Sequence, residues 1–415
     1  MMNSKHLCIS IISIFFIYID SFSQTKPENI RLFIDCQTSC DINYIKTEID
    51  YIDYVNDRFQ ANVYLLITSQ TTGGGGRNYN LKISGQGPFE GIVDTLTYIR
   101  QSVATDAENR SQAVQSIQSA ILPYLLKTEK AQDLVISLKE KEGTNKIQAI
   151  PEKDPWNFWV MSIEARGSFA GENNYSSKNL RAGVSASHVT DKMKVYIGAD
   201  INRVTNRFGQ GTDEFSFTNK NNDFDNTTVW SLGPKLSAGF SLSVEQSDFR
   251  NFKLYSFLTP AIEYSFYPYT QAQNQSITLM YRVGPRYFKY YEETVFLETE
   301  ELRFQQNLTL DVRYNKPWGE IRGSSTFGHY FHDITKNRLS FYTNVELRVV
   351  KGLFLNFGGS YAFQRDQLNI VKGDVSDQDL LTRRRQLNST FDFNMDFGLR
   401  YRFGSIYNSI VNPRF

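Results

Sequence analysis

Cysteine, histidine and one-sided charge are all scarce in this chain, and each scarcity removes a class of function. Among 415 residues there are three cysteines and four histidines. Cys8 lies inside an apolar N-terminal run, which leaves Cys36 and Cys40 as a pair. A structural zinc site needs four donors, and no histidine lies near that pair to complete one. His6, His188, His329 and His332 show no metal-ligand spacing either, so neither a metal nor a cofactor is expected. The 45 basic and 44 acidic residues leave a net charge of +1. Such a balance gives no global electrostatic grip on nucleic acid, and no basic cluster is interleaved with aromatics. The run Arg383-Arg384-Arg385 is short and falls in an expected loop, where solvation or a lipid-headgroup contact accounts for it. Past residue 19 no segment approaches twenty continuous apolar residues, so no membrane-spanning helix is expected in the mature chain.

The N-terminus carries the marks of a secretory signal over residues 1–23. Lys5 and His6 precede the apolar run Leu7 to Ile19, and Ser21-Phe22-Ser23 offers small residues for cleavage before Gln24. Cys8 sits within the run and not at its end, so a lipoprotein signal is not expected. Export leads to an oxidising compartment, which makes Cys36 and Cys40 a disulfide candidate, with free buried thiols as the alternative. Their spacing, about one helical turn, lies near the lower reach of disulfide geometry.

Residues 27–128 are expected to form a periplasmic α+β domain. Ile30 to Ile34 reads as a strand. Ile42, Ile45, Ile49, Ile52 and Val55 follow at helical steps, with Ser39 or Asp41 as cap. Strands are expected over 61–68, 79–84 and 94–99, then a helix over 106–126 with Val114, Ile117, Ile121 and Leu125 on one stripe. The Gly73-Gly74-Gly75-Gly76 run joins strand to strand and lacks a Gly-Lys-Ser/Thr ending, so it reads as a mobile hairpin tip and not as a phosphate loop. Residues 129–155 are charged and read as a linker.

From residue 156 the pattern is period two. Phe391 to Phe403 places a large apolar residue at every odd position and a polar residue or glycine at every even one. Segments of this kind recur over 156–403, each near the nine to eleven residues that cross a bilayer at a tilt. The expected fold class is therefore a transmembrane antiparallel β-barrel of about twelve strands, preceded by the small α+β domain, with residues 404–415 as a tail. Short turns are expected at 189–192, 245–251, 284–286, 315–319 and 350–352, and a single strand across 228–245. Ten strands with one long loop is the alternative.

One face of these strands carries charge. Glu164, Arg166, Arg181, Lys194, Asp200, Lys235, Glu346, Arg348, Asp392, Asp396, Arg400 and Arg402 are the lumen-lining candidates. They line a narrow aqueous pore, or pair across strands and plug it. No serine sits in a recognisable nucleophile motif beside His329 or His332, so no catalytic residue is assigned and the chain is not expected to be an enzyme; a surface lipid hydrolase is the exception kept open.

On the alternation, the terminal aromatic residue Phe403 or Phe415 and the Ser-x-Ser before Gln24, the chain resembles Gram-negative outer-membrane β-barrel proteins, those of Bacteroidota above all. That resemblance implies a cell outer-membrane location, contact with outer-membrane lipid and insertion by the barrel assembly machinery. The leading functional expectation is a binding or structural role that links the outer membrane to a periplasmic protein partner. A narrow channel for small polar solutes, porin-like, and an outer-membrane lipid hydrolase are the alternatives.

Overall fold

The computed structural model describes residues 27–135, 154–209, 214–316, 318–350, 353–374, 376, 379, 382 and 384–401. The signal segment, Arg402, Phe403, the tail and most of the expected linker lie outside them. The N-terminal unit is built from β1 (Arg31–Cys36), α1 (Ile42–Glu48), β2 (Asp53–Tyr54), β3 (Val63–Thr71), β4 (Arg77–Gly85), β5 (Val93–Arg100) and α2 (Asp106–Leu125). Its five-stranded mixed sheet runs β2-β1-β3-β4-β5. β1 is parallel to both its neighbours, and β3, β4 and β5 form an antiparallel meander. Ile45 and Ile49 from α1 meet Val114, Ile117, Ile121 and Leu125 from α2 over Leu65, Ile67, Leu81 and Ile83 of the sheet, one continuous apolar core.

α1 is shorter than its periodicity suggests. It stops at Glu48, and Ile52, Tyr54 and Val55 reach the core from an extended segment that pairs with β1. The Tyr54 hydroxyl donates to the Ile49 carbonyl at 3.0 Å, satisfying an acceptor that a continuing helix would have used. α2 begins with a full capping box: Thr105 accepts from the Glu108 amide, and the Glu108 carboxylate accepts from the Thr105 amide. These bonds hold the Glu108 carboxyl below its ordinary range. A depressed carboxylate stabilises the fold above its unfolded pKa and loses that contribution as pH falls through its folded value. Thr105→Ala is expected to cost about 1 kcal/mol and to flatten this acid dependence, as read by urea unfolding between pH 3 and pH 7.

The larger unit is a second sheet of twelve antiparallel strands in sequence order. They are β6 (Trp159–Glu172), β7 (Tyr175–Val189), β8 (Met193–Phe208), β9 (Phe215–Ser231), β10 (Leu236–Ser247), β11 (Phe252–Ser265), β12 (Gln275–Tyr290), β13 (Glu300–Lys316), β14 (Gly319–Tyr330), β15 (Asp333–Val350), β16 (Leu353–Gln364) and β17 (Phe391–Tyr401). Two departures from the expected connections cancel in the count. Leu232-Gly233-Pro234-Lys235 is a turn that divides the segment 228–245 into β9 and β10. Conversely, Gly284-Pro285-Arg286 is no turn but the middle of β12. There the ladder to β11 is interrupted between Phe257↔Arg286 and Ala261↔Arg282. Pro260 and Pro285 both fall in that gap, and neither has an amide to donate.

The expected barrel is not what the strands form. Among the described residues no pairing joins β6 to β17, so the sheet is open and these two strands are its edges. Their side chains are exposed on both faces along almost their whole length, with Ile163 at 85% and Phe397 at 90%. An open edge leaves backbone donors and acceptors unpaired, which hydrocarbon does not tolerate. The expectations that required closure fall with it: the outer-membrane barrel resemblance, the solute channel, the lipid hydrolase of an outer membrane, contact with outer-membrane lipid, the assembly machinery, the outer-membrane location and the bridge from that membrane to a periplasmic partner. No helix among the described residues is long and apolar enough to cross a membrane, a fact that bears on helices and not on strands.

The N-terminal unit rests against one end of the large sheet. Gln37 Nε2 donates to the Lys316 carbonyl at 3.1 Å, and Ser187 Oγ donates to the Gly73 carbonyl at 3.1 Å. The glycine run expected to be a mobile tip is thus a contact surface. A Cβ at Gly73 would lie 2.4 Å from Val189 Cβ, so only glycine allows this approach. Gly73→Ala is expected to destabilise by about 1–3 kcal/mol, seen as a lowered thermal midpoint; an unchanged midpoint would mean that the tip does not bear on β7.

Candidate functional site

The register brings the charged candidates carried by the strands onto one face. Directly opposite residues share a face, and one such row runs Glu164, Gly183, Asp200, Asp223, Glu245, Tyr255, Phe288 and Glu301 across β6 to β13. Arg166 and Arg181 face each other one step along, and Arg181 is paired with Asp200 at 2.8 Å. Lys194 lies opposite Val189 and Val229, and Lys235 lies in the β9–β10 turn. At the other edge Glu346 lies opposite Glu320, while Asp392, Asp396 and Arg400 lie opposite Ala362, Gly358 and Phe354. These residues are spread along the sheet and do not converge on a single point.

Arg348 is the exception, because it leaves the sheet's own business and binds the other unit. Its guanidinium lies 3.3 Å from Asp35 of β1, between the rings of Phe33 and Phe354 at 5.1 and 5.2 Å. The Tyr64 hydroxyl donates to the same Asp35 carboxylate at 2.6 Å. Burial, then the Asp35 charge, pushes the Tyr64 phenol far above its ordinary value, so it stays a neutral donor.

Cys36 and Cys40 are joined by a disulfide, with Cα atoms 6.3 Å apart. It fixes the turn that carries Ser39, Cys40 and Asp41 to the rim of a cavity of about 410 Å³. The floor is apolar, from Ile45, Ile67, Leu81 and Ile117. One wall is the stacked pair Tyr79–Tyr98, with centroids 4.8 Å apart and planes 2° from parallel. Opposite stands Tyr44, under the Arg110 guanidinium at 5.0 Å. Arg110 is paired with Asp41 at 3.4 Å and Arg100 with Asp106 at 3.7 Å, so the mouth is polar with its charges balanced. Burial raises the Tyr98 phenol well above its ordinary value, which keeps it protonated at any working pH. Asn109 donates from Nδ2 to the Ala104 carbonyl at 3.4 Å, while its Oδ1 is buried without a hydrogen-bond partner among the described residues.

None of these lining residues except Cys40 was a sequence candidate. Asn109, Ala113 and Ile117 do follow at helical spacing, so the stripe was legible. That its polar first member would face a hollow was not, because the hollow exists only once β4 and β5 are paired beneath it.

His329 lies on the outward face with Phe327 and Phe331, at ring distances of 5.9 and 6.1 Å. Its Nε2 meets the Gln306 amide at 2.7 Å and its Nδ1 meets the Tyr330 carbonyl at 3.0 Å, so both ring nitrogens are engaged. No hydrogen bond joins His329 or His332 to Ser324 or Ser325 among the described residues.

No protein-family model matches the chain. No curated protein matches it either. Among solved structures, a "CymD monoaromatic hydrocarbon channel" is 12% identical with a TM-score of 0.27, over 50% of this chain and 74% of that one. A NanC porin structure is 6% identical with a TM-score of 0.29, over 58% of this chain and 100% of that one. Superpositions this loose carry no argument about fold or function.

Proposed function

We propose that the chain is a non-catalytic binding protein whose N-terminal unit takes a small, flat, largely apolar molecule bearing a hydrogen-bond donor. The observation that carries this reading is the cavity between α1, α2 and the β3–β5 face, with its stacked tyrosine wall and the orphaned Asn109 acceptor. Concave apolar sites with a few convergent polar groups are where small molecules bind. Ionic groups at the mouth already have partners, so a neutral ligand fits better than an anion. The donor of a phenol or an indole would satisfy Asn109 Oδ1, while its ring lies against Tyr98. Phenols held neutral and ion pairs already balanced suit binding of a neutral molecule.

The test uses the full chain with isoleucine methyls labelled for NMR. Ile45, Ile67 and Ile117 methyls are expected to shift saturably on titration with phenol or indole. Asn109→Leu is expected to weaken binding about five- to thirtyfold, the cost of one buried hydrogen bond at ~1–2 kcal/mol. Methyls that stay unmoved by either probe, or binding that survives filling the mouth with Ala113→Trp, would reject the reading.

A further inference from the structure

A second cavity, of about 780 Å³, lies at the end of the large sheet opposite the N-terminal unit, beneath the chain that connects β16 to β17. Its wall is aromatic where the sequence pattern would place polar side chains. Phe252, Phe288, Tyr290 and Tyr330 form a buried cluster with Leu368 from the connecting chain, and Tyr255 packs against it. Asn369 and Gln386 of that chain are fastened to the β10–β11 connection. Asn369 Nδ2 donates to the Arg250 carbonyl at 2.8 Å, Asn251 Nδ2 to the Asn369 carbonyl at 3.3 Å, and the Gln386 amide to the Phe249 carbonyl at 2.9 Å.

Four arginines, Arg250, Arg286, Arg338 and Arg385, line the cavity together with Asp366 and Asp392. Three have carboxylate partners. Arg250 pairs with Glu245, Arg338 lies 3.1 Å from both oxygens of Asp366, and Arg385 lies 3.2 Å from Asp379. Arg286 differs. One terminal nitrogen donates to the Tyr255 hydroxyl, its Cζ lies 4.9 Å from the centroid of the Phe257 ring, and its Nε is buried with no acceptor among the described residues. Burial raises the Tyr255 phenol, so it offers a dipole and not a countercharge. A guanidinium set among aromatic rings, with no carboxylate in ion-pair contact among the described residues, is costly unless an anion arrives to pair with it.

We propose that this cavity binds a small organic anion with a flat apolar body, its acidic group held by Arg286 and its ring lying among Phe252, Phe288 and Tyr330. This site is separate from the one in the N-terminal unit and takes a different charge class: anionic here, neutral there. The anion chemistry is that of an aromatic carboxylate or sulfonate.

Naphthalene-1-sulfonate binding to the full chain, measured by isothermal titration calorimetry, tests it, with 1-naphthalenemethanol as the neutral probe. The sulfonate is expected to bind with one site per chain, and the neutral probe at least tenfold more weakly. Arg286→Gln is expected to lose about tenfold or more in sulfonate affinity, as for a charge-assisted hydrogen bond, while Arg286→Lys recovers part of it. Leu368→Trp, which fills the cavity, is expected to abolish binding, and Ala113→Trp in the other unit to leave it unchanged. Equal affinity for both probes would overturn the role of Arg286. Sulfonate binding unaltered by Leu368→Trp would overturn the site, whether or not Arg286→Gln folds.

Discussion

Replacing Arg348 by alanine is expected to split one cooperative unfolding transition into two. The Arg348 and Asp35 side chains are 13% and 8% exposed, and the pair they form joins the two units beside the hydrogen bonds of Gln37 and Ser187 and the packing of Gly73 on Val189. Removing one partner of a buried ion pair costs about 3–5 kcal/mol, because the other charge stays buried and uncompensated. The Tyr64 hydroxyl would still donate to Asp35, and a neutral hydroxyl cannot replace a guanidinium. The N-terminal unit should melt first and separately in differential scanning calorimetry. Asp35→Asn with Arg348→Met should recover much of the loss, since an apolar replacement removes the desolvation cost along with the attraction. A single transition at the wild-type temperature in Arg348→Ala would show that the two units are not held by this pair.

The second large effect is expected inside the N-terminal core. Ile121 is fully buried on α2, packed with Ile117 and Leu125 over the sheet. Ile121→Ala removes buried apolar contacts and leaves a hole that a helix packed against a five-stranded sheet cannot close, a loss of about 2–5 kcal/mol. Gln115, on the exposed face of the same helix, is the control, and Gln115→Ala should stay within about 0.5 kcal/mol of wild type. Urea titration followed by tyrosine fluorescence distinguishes them. Similar midpoints for both variants would mean that α2 does not bury this stripe.

How far the sequence led depended on whether a feature was local. The stripe on α2 is a local periodicity, and Val114, Ile117, Ile121 and Leu125 do face the core. Two-residue alternation likewise sorts the side chains of the large sheet onto two faces, because register preserves parity from strand to strand. Turns were less legible. Gly284-Pro285 looked like one and instead lies inside a strand, at a gap in the ladder that also holds Pro260, while Gly233-Pro234 truly turns. The dipeptide is the same; what differs is whether the neighbouring strand continues past it. Long-range facts were not legible. Nothing in the pattern distinguishes a sheet that closes from one that ends, since both need the same alternation. Nor could Arg348 be separated from the other inward charges, because its partner lies more than three hundred positions away in β1. The two cavities share this property: each is lined by residues of several elements, and Arg286 stands out only once it is seen to make no ion pair among the described residues.

Amide hydrogen exchange along β6 tests the open sheet most directly. A strand paired on one side only uses alternate amides, so protection over residues 159–172 should alternate, with every second amide exchanging like free chain. Continuous protection of successive amides in β6, matched by the same pattern in β17, would mean that both edges are paired and would contradict the architecture described here.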